Sequence, residues 1–421
     1  MFFGRLLNGP FLVVERLNRA PMFTRRVLFL AAVLSFFSTG FCIKWLAMHK
    51  VSPPWSESSQ CPSNRTERKE FGLVTYQSRM CRRIPELMPV IVNAAKLALN
   101  VCQNAFAEER WNCSTLLLAP DLRSDLTKGT KEQAFVHALS SAAVTHQVAK
   151  ACVSGQLNFC PCGYVETTTV PGSMSNSDAY KWKGCSDNVV YGKRVSREWA
   201  DAMWRRLPQF TLRKRKSVLE FDGEHLNEEP IAPKAGPKAR MNQHNNDVGR
   251  IVTQQSLMRK CKCHGVSSGC DVKTCWYTLP DLKEIAQQLK ERYDLAHQIG
   301  QTYDTTGSKS DSRTTRDPFN SKLEPELVSL LTVKLMFLFQ IYLRGSPTYC
   351  DENLDLGSLG TRDRECKQNT TDSSSCKHLC CARGFNTRQM TVEEQCRCKF
   401  VYCCAVKCKI CQMVVEKHYC K

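Results

Sequence analysis

The sequence predicts an α+β protein with a helical N-terminal domain at residues 43–300, a linker at residues 301–349 and a small cysteine-rich β-hairpin C-terminal domain at residues 350–421. Two observations predict this fold. Apolar residues recur at helical spacing before residue 300. Twelve cysteines are spread over residues 61–275, whereas another twelve crowd into residues 350–420. At that density, disulfide bonds must replace an apolar core in the last domain.

The start of the chain predicts export from the cytosol. Arg25 and Arg26 precede an apolar run at residues 27–37 that ends at small residues, which is the order of a secretory signal peptide. The run is short for a bilayer span, so cleavage is favoured over a membrane anchor. Residues 1–42 are therefore assigned to the signal peptide, with residues 1–21 as an upstream extension before a second Met. Because disulfides persist outside the cytosol, we expect the protein in the extracellular space and matrix.

Helices are predicted at residues 84–109, 131–152 and 245–260, with a fourth after Pro280, which suits the first turn of a helix. Residues 205–243 are polar, basic and proline-containing, and they predict a long exposed loop between the second and third helices.

The linker contains an apolar run at residues 327–343 in which only Lys334 is charged. Its length reaches the lower limit of a membrane span. A span would place the last twelve cysteines in the cytosol, where they would not stay oxidised, so a packed helix is favoured over a span. Because the run interrupts what should be a short linker, an insertion is a further interpretation. After Cys350 only short strand-like pieces occur, such as residues 399–402, and they predict β-hairpins tied at their bases.

The formal net charge of +19 predicts an acidic partner. For an exported protein, sulfated glycan or an anionic membrane surface is favoured over nucleic acid. A solvated basic loop or a dibasic processing site stays open as the alternative for the densest basic run. The candidate glycan-binding patch is Arg213, Lys214, Arg215 and Lys216. Three Asn-x-Ser/Thr acceptors for glycosylation are Asn64, Asn112 and Asn369.

Residues 261–276, CKCHGVSSGCDVKTCW, carry the functional hypotheses. An inner cysteine pair, 263 with 270, and an outer pair, 261 with 275, can close nested rungs of one hairpin and hold its tip rigidly. The tip fits the Gly-x-Ser-x-Gly pattern of a serine hydrolase with Ser267 as nucleophile, but a cysteine hairpin lacks the strand and helix of that elbow. Oxidation of exported thiols also disfavours a metal site. Its ligands would be Cys261, Cys263, His264 and Cys270. The third interpretation is a serine displayed for modification.

The same segment resembles the signature of the Wnt family of secreted signalling proteins. The resemblance extends to FAEERWNCS at residues 106–114, KGCSDN at residues 183–188 and CRCKFVYCCAVKCKIC at residues 396–411. Among the subfamilies, the chain is similar to the eleventh vertebrate subtype through IKWLA at residues 43–47 and DLGSLGTRDREC at residues 355–366.

The resemblance implies a ligand and not an enzyme, with no catalytic residue, no metal and no cofactor besides a covalent lipid. It implies that a membrane-bound O-acyltransferase esterifies Ser267 with palmitoleate. This hairpin, the thumb, then binds the cysteine-rich domain of a Frizzled receptor through Ser267 and Val266. A second hairpin, the index finger, contacts the opposite side of that domain. Its tip is formed by Phe400, Val401, Tyr402, Cys403 and Cys404.

The resemblance also implies further partners. These are a Wnt carrier in the secretory pathway, heparan sulfate proteoglycans, and a coreceptor of the LDL-receptor-related or receptor-tyrosine-kinase-like type, but no nucleic acid. The eleventh subtype implies β-catenin-independent signalling in development and cell movement. A disulfide-rich matrix protein without an acyl group stays open as a hypothesis from another class.

The family's disulfide pattern carries over by spacing. Besides the two thumb pairs it implies the pairs Cys102–Cys113, Cys152–Cys160, Cys162–Cys185, Cys350–Cys381, Cys366–Cys376, Cys380–Cys420, Cys396–Cys411, Cys398–Cys408 and Cys403–Cys404, and it leaves Cys61 and Cys81 for each other. Adjacent Cα atoms lie about 3.8 Å apart, below the usual disulfide range of about 4.4–6.8 Å. The 403–404 ring is therefore strained, and separate partners for these two cysteines stay open.

The thumb departs from the family at one point. The family's common order is Ser-Gly-Ser-Cys, whereas this chain has Ser267, Ser268, Gly269 and Cys270. Because glycine permits backbone angles that serine resists, we expect the turn after Ser267 to differ, and Ser268 becomes a second candidate for acylation.

Overall fold

The computed structural model describes residues 43–163, 181–204, 236–270, 272–299 and 339–421. The predicted signal peptide, the basic patch and most of the linker lie outside these ranges. The described helices are α1 (Arg65–Glu70), α2 (Thr75–Arg83), α3 (Met88–Ala105), α4 (Lys131–Val153), α5 (Val189–Ala200), α6 (Pro237–Gln255), α7 (Leu282–Asp294) and α8 (Cys376–Leu379). The described strands are β1 (Lys181–Lys183), β2 (Met258–Cys263), β3 (Lys273–Thr278), β4 (His297–Gln298), β5 (Ile341–Tyr342), β6 (Glu352–Asn353), β7 (Ser358–Leu359), β8 (Glu365–Cys366), β9 (Phe385–Val401) and β10 (Ala405–Cys420).

Helix α4 lies at the centre of the helical domain and packs against α3, α5, α6 and α7. It is buried along almost its whole length because alanine, serine and other compact residues cover much of its surface. Two neighbours approach it at glycines. A Cβ on Gly249 of α6 would lie 2.0 Å from the Ala138 carbonyl oxygen, and one on Gly192 of α5 would lie 2.4 Å from the Thr145 carbonyl oxygen. These glycines therefore permit the close packing of α5 and α6 on α4.

The four predicted helices are confirmed, with changed ends. Helix α3 is shorter than predicted because a 3-10 turn, Pro85–Leu87, precedes it. Helix α6 begins at Pro237. The loop predicted over residues 205–243 is therefore wrong for residues 237–243, which are helical. Residues 258–260, predicted as the end of that helix, belong instead to β2. The missed part of α6 carries buried polar residues such as Asn242, so apolar spacing does not reveal its true length.

Residues 339–349, which the sequence assigns to the linker, pack against the helical domain. Strand β5 pairs in parallel with β4. The Asn245 side chain donates to the Ile341 carbonyl oxygen at 2.9 Å and accepts from the Ile341 amide at 3.0 Å. Ile341 is buried, so the end of the apolar run at 327–343 is part of the core, while its assignment as an insertion stays a prediction. The first part of the run lies outside the described residues.

No single described helix is long and apolar enough to cross a bilayer. The bent pair Thr75–Arg83 and Pro85–Ala105 meets the length and composition requirements only when its two parts are taken together.

The C-terminal region, residues 350–421, is built on one long hairpin and not on the short hairpins that the sequence predicts. Strand β9 has 17 residues and β10 has 16. The two strands pair from Phe385 with Cys420 at the base to Val401 with Ala405 at the tip. The buried cluster beneath the base consists of Cys366, Cys376, Leu379, Cys380 and Cys420. Disulfides therefore take the place of an apolar core, as their density predicts.

The C-terminal region meets the helical domain through polar contacts. The Arg364 guanidinium donates to the carbonyl oxygens of Arg110 and Ala107 at 2.8 and 2.9 Å. On the same side, Gly357 has a φ of +78°, and a Cβ there would lie 2.2 Å from a carboxylate oxygen of Asp125. The described residues from 43 to 421 belong to one compact unit, to which these contacts contribute.

Eleven of the twelve predicted disulfides are confirmed, from Cys61–Cys81 to Cys398–Cys408. The predicted bond between Cys403 and Cys404 is wrong, because both are free cysteines in the structure. The physical reason is that a disulfide between adjacent cysteines closes a small ring that contains their own peptide bond, whose planarity resists the distortion that the ring requires.

Candidate functional site: two stapled hairpins

The thumb is a two-stranded antiparallel hairpin, β2 with β3, that β1 extends by pairing in parallel with β3. Cys261 lies directly opposite Cys275, and their disulfide joins Cα atoms 4.1 Å apart. A second disulfide, Cys263–Cys270, closes the loop just beyond it with Cα atoms 4.7 Å apart. The nested rungs that the spacing predicts are therefore both present, and they fix the tip to the stem.

Backbone hydrogen bonds complete the tip of the thumb. The Gly265 amide donates to the Gly269 carbonyl oxygen at 2.8 Å, and the Gly269 amide donates to the Val266 carbonyl oxygen at 3.0 Å. A Cβ on Gly265 would lie 2.4 Å from the Gly269 carbonyl oxygen, so this crossing requires glycine. Val266 is 94% exposed and Ser267 is also exposed. The fold thus displays Ser267 at the end of a rigid arm.

Two rival interpretations of the thumb are wrong. Cys261, Cys263 and Cys270 are all in disulfides, so they offer no thiolate to a metal. His264 Nε2 instead lies 2.9 Å from the Thr274 hydroxyl. The nucleophile elbow of a hydrolase needs a helix after the serine, whereas Ser267 is followed by strand β3.

The displaced glycine has a different consequence from the one expected. Gly269 has φ −58° and ψ 151°, which any residue can adopt, while Ser267 itself occupies the left-handed region at φ 55° and ψ 37°. The unusual backbone angle is therefore at the first serine and not after it. The choice between Ser267 and Ser268 as the modified residue stays a prediction.

The finger carries its two staples close to its own tip. Cys396–Cys411 and Cys398–Cys408 bridge β9 and β10. At the Cys398–Cys408 bridge the pairing register shifts between Lys407 and Lys409, and Arg397 on the opposite strand has a φ of +48°. Such a bulge bends the strand and re-aims what lies beyond it.

The residues beyond the bulge expose the apolar tip that the sequence predicts. Phe400 is 70% exposed, Val401 is 41% exposed and Tyr402 is 95% exposed. Cys403 and Cys404 follow in the turn, both exposed, and hydrogen bonding with Cys403 raises the pKa of the Cys404 thiol above its ordinary value. The tip is therefore a projecting aromatic group with two exposed thiols beside it.

Sequence reasoning missed an apolar stripe that continues from this tip. Val406 pairs with Phe400 across the hairpin, and residues at even spacing along a strand share one face. Val406, Ile410 and Val414 therefore line one face of β10, and each is more than 60% exposed. The alternation of apolar and polar residues in β10 is the sequence signal that could have found this stripe.

The three candidate glycosylation sites are all described. Asn64 is exposed at the start of α1 and accepts a hydrogen bond from the Glu67 amide. Asn369 is exposed, whereas Asn112 is half-buried and accepts from the Ser114 amide at 3.3 Å. Their use as glycan acceptors stays a prediction.

Comparison with known proteins decides the family. A sequence model of the wnt family matches residues 69–421. Protein Wnt-11b-1 of Xenopus tropicalis is 39% identical over 91% of this chain and 96% of that protein, and Protein Wnt-11 of Gallus gallus is 38% identical over 93% of this chain and 98% of that protein. The chain belongs to the Wnt family. The predicted similarity to the eleventh subtype is confirmed by the names of these relatives.

Two solved structures are also similar to this Wnt chain. A chain in the structure of human WLS in complex with WNT8A is 31% identical with a TM-score of 0.49, covering 80% of this chain and 94% of that one. The crystal structure of the Drosophila WntD N-terminal domain-linker is 20% identical with a TM-score of 0.34, covering 62% of this chain and 97% of that one.

Family membership fixes the class of function. Wnt proteins are secreted, disulfide-rich signalling ligands of development and not enzymes. The two exposed hairpin tips are consistent with that class, because each presents a small number of projecting groups on a stem held by two disulfides.

Proposed function

We propose that this Wnt chain is a ligand of the cysteine-rich domain of Frizzled receptors, which it binds through palmitoleate on Ser267 and through the finger tip. The observation that carries the proposal is the position of Ser267, exposed at the end of a hairpin that two disulfides hold. An acyltransferase must reach the Ser267 hydroxyl, and a receptor groove must then receive the lipid. Both steps need a serine that is exposed at the end of a projecting hairpin.

The lipid supplies most of the expected affinity. Burial of one acyl methylene is worth about 0.8 kcal/mol, so a sixteen-carbon chain gains on the order of 10 kcal/mol before entropic costs. Neighbouring Val266, 94% exposed, adds a small apolar contact. The rigid stem helps because the thumb loses little conformational freedom when it binds.

The finger tip supplies the second contact and the specificity. Phe400, Val401 and Tyr402 project beyond the last disulfide, with Cys403 and Cys404 in the turn. Aromatic side chains that enter a partner's pocket dominate many interfaces. We assign these residues to the receptor face opposite the lipid groove.

The remaining partners follow from the family. A membrane-bound O-acyltransferase would modify the thumb, and a Wnt carrier would shield its lipid during secretion. Outside the cell, heparan sulfate would bind the basic run Arg213 to Lys216, and a coreceptor of the LDL-receptor-related or receptor-tyrosine-kinase-like type would join the receptor. The similarity to Wnt-11 proteins favours β-catenin-independent output.

The decisive experiment compares the two serines of the thumb. The full chain is secreted from cells that express the acyltransferase, and mass spectrometry is applied to the peptide that contains residues 264–269. We expect palmitoleate on Ser267. The variant Ser267→Ala should lose the acyl group and at least 100-fold in affinity for the Frizzled cysteine-rich domain, whereas its matched control, Ser268→Ala, should keep both. An unmodified thumb peptide from active protein, or an acyl group on Ser268, would contradict the assignment.

A second experiment addresses the finger. Tyr402→Ala removes the most exposed aromatic group of the tip and should weaken Frizzled binding roughly 10-fold, in the range of an interface anchor. Gln412→Ala, an exposed position in the middle of β10, is the control and should bind like the parent. Both variants should be secreted normally, and equal affinities for the two would remove the finger from the receptor interface.

A further inference from the structure

The stem of the thumb is strongly basic. Residues 258–278 contain Arg259, Lys260, Lys262 and Lys273 against a single acidic residue, Asp271. Lys260 and Lys262 are exposed on β2. Because they stand two residues apart in a strand, their side chains lie on one face of the hairpin. A pair of ammonium groups therefore flanks the arm that ends at the exposed Val266 and Ser267.

We propose that this stem and the tip together form a two-signal membrane anchor, in which the acyl chain and Val266 enter the bilayer while Lys260 and Lys262 bind anionic phospholipid headgroups. This inference rests on the proposed acylation of Ser267. A single acyl chain alone gives only marginal and reversible membrane binding, and stable anchoring needs a second signal such as a basic patch.

The distances along the hairpin fit the layers of a bilayer. Lys262 stands five residues before Ser267, at most about 16 Å from the tip at a rise of about 3.3 Å per residue. If the tip enters to a depth of about 5–10 Å, as apolar faces do at membrane interfaces, Lys262 reaches the headgroup layer. Lys260 stands two residues farther from the tip, about 7 Å by the same count, which is within one Debye length of about 8 Å.

The combination of groups favours a membrane over a sulfated glycan. A glycan requires only positive charge, which many parts of this basic chain could supply. Here the charges flank an apolar tip that is 94% exposed at Val266, and lysine stems can lie along apolar surface while their ammonium groups stay in the polar layer. Only a bilayer offers a hydrocarbon layer and an anionic layer in that order.

The test measures binding of the secreted, acylated full chain to vesicles of pure phosphatidylcholine and to vesicles with an added fraction of phosphatidylserine. The double variant Lys260→Gln/Lys262→Gln should bind the anionic vesicles roughly 10- to 30-fold more weakly than the parent and should bind the neutral vesicles equally. The control variant Arg65→Gln/Lys69→Gln removes two exposed charges from α1 and keeps the sequence Asn64-x-Thr. It should bind both kinds of vesicle like the parent.

The outcomes separate this inference from the proposed function. Mass spectrometry of each preparation first establishes the acyl group, and its absence would overturn both proposals. If the protein is acylated and the lysine variant binds anionic vesicles like the parent, this inference alone is overturned. This inference is also overturned if the control variant loses as much affinity for anionic vesicles as the lysine variant. It is likewise overturned if the lysine variant loses retention on heparin but keeps its binding to vesicles, because the stem would then be a glycan site.

Discussion

The helical domain and the C-terminal region reach stability by different means. The helical domain buries a large apolar cluster around α3 and α4, with residues such as Phe106, Phe135 and Trp199 almost fully inaccessible. In the C-terminal region, four of the five buried residues in the core cluster are cysteines, and only Leu379 is an ordinary apolar residue. The first region is therefore stabilised by burial of apolar area, the second by covalent bonds.

This difference suits the tasks of the two hairpins. The thumb leaves the helical domain, so its three-stranded sheet rests on a packed base, and six-residue strands suffice to hold one serine in place. The finger extends through strands of 17 and 16 residues whose side chains are mostly exposed. A hairpin that buries so little on either face needs bridges along its length, and two of its disulfides lie near the tip.

The largest expected effect comes from breaking a covalent bond in the C-terminal region. The disulfide Cys380–Cys420 closes a sequence separation of 40, for which loop entropy predicts a loss of about 4 kcal/mol in the free energy of unfolding. The variant Cys380→Ala/Cys420→Ala should lose amide protection throughout β9 and β10 in hydrogen exchange. Helices α3 and α4 should keep theirs.

The matched control is the bond Cys152–Cys160, whose separation is only 8 and which lies against the helical core. Its removal should cost about 2.5 kcal/mol by the same relation and leave the fold of α4 intact because apolar packing remains. Loss of protection in α4 to the same extent as in the finger would break the comparison.

The sequence predicted most of this division because its signals are strong. Cysteine density indicated the covalent region, family resemblance indicated the pairing, and apolar spacing indicated α3, α4 and α7. It failed where local chemistry and not periodicity determines the structure. Helix α5, for example, is capped by Asn188, whose side chain accepts from the Tyr191 amide, and its buried face includes Gly192 and Ser196, which weaken the apolar pattern.

The site was predicted in part. The residues at both tips are exposed as expected, since disulfide spacing defines where each hairpin turns. The state of Cys403 and Cys404 was predicted wrongly, because adjacent cysteines can be joined only against their preferred geometry, and the stripe from Val406 to Val414 was missed because the two long strands were not foreseen.

The smallest expected effect concerns pH, to which the helical domain should respond through its buried titratable groups. Asp125 is fully buried where the helical domain meets Gly357. Its carboxylate accepts from the Trp111 indole at 2.9 Å and from the Thr115 hydroxyl, but burial outweighs these bonds and raises the pKa of Asp125 to about 6. The unfolded chain therefore ionises at lower pH than the folded chain, and stability from this group is lost as the pH rises from about 4 to above 6.

A second buried group opposes this trend, so a difference measurement is needed. Burial lowers the pKa of His137 to about 4. The contribution of His137 to the free energy of unfolding therefore falls as the pH decreases from about 6.5. The variant Asp125→Asn keeps an acceptor for Trp111 and removes the charge. Relative to the parent, it should gain about 2 kcal/mol in the free energy of unfolding between pH 4.5 and pH 7, measured by urea titration at both values. Because the groups with shifted pKa values in the C-terminal hairpin, such as Cys404 and Lys417, are not buried, protection of β9 and β10 should change little. A pH response centred on the finger would instead show that the two regions share one means of stabilisation.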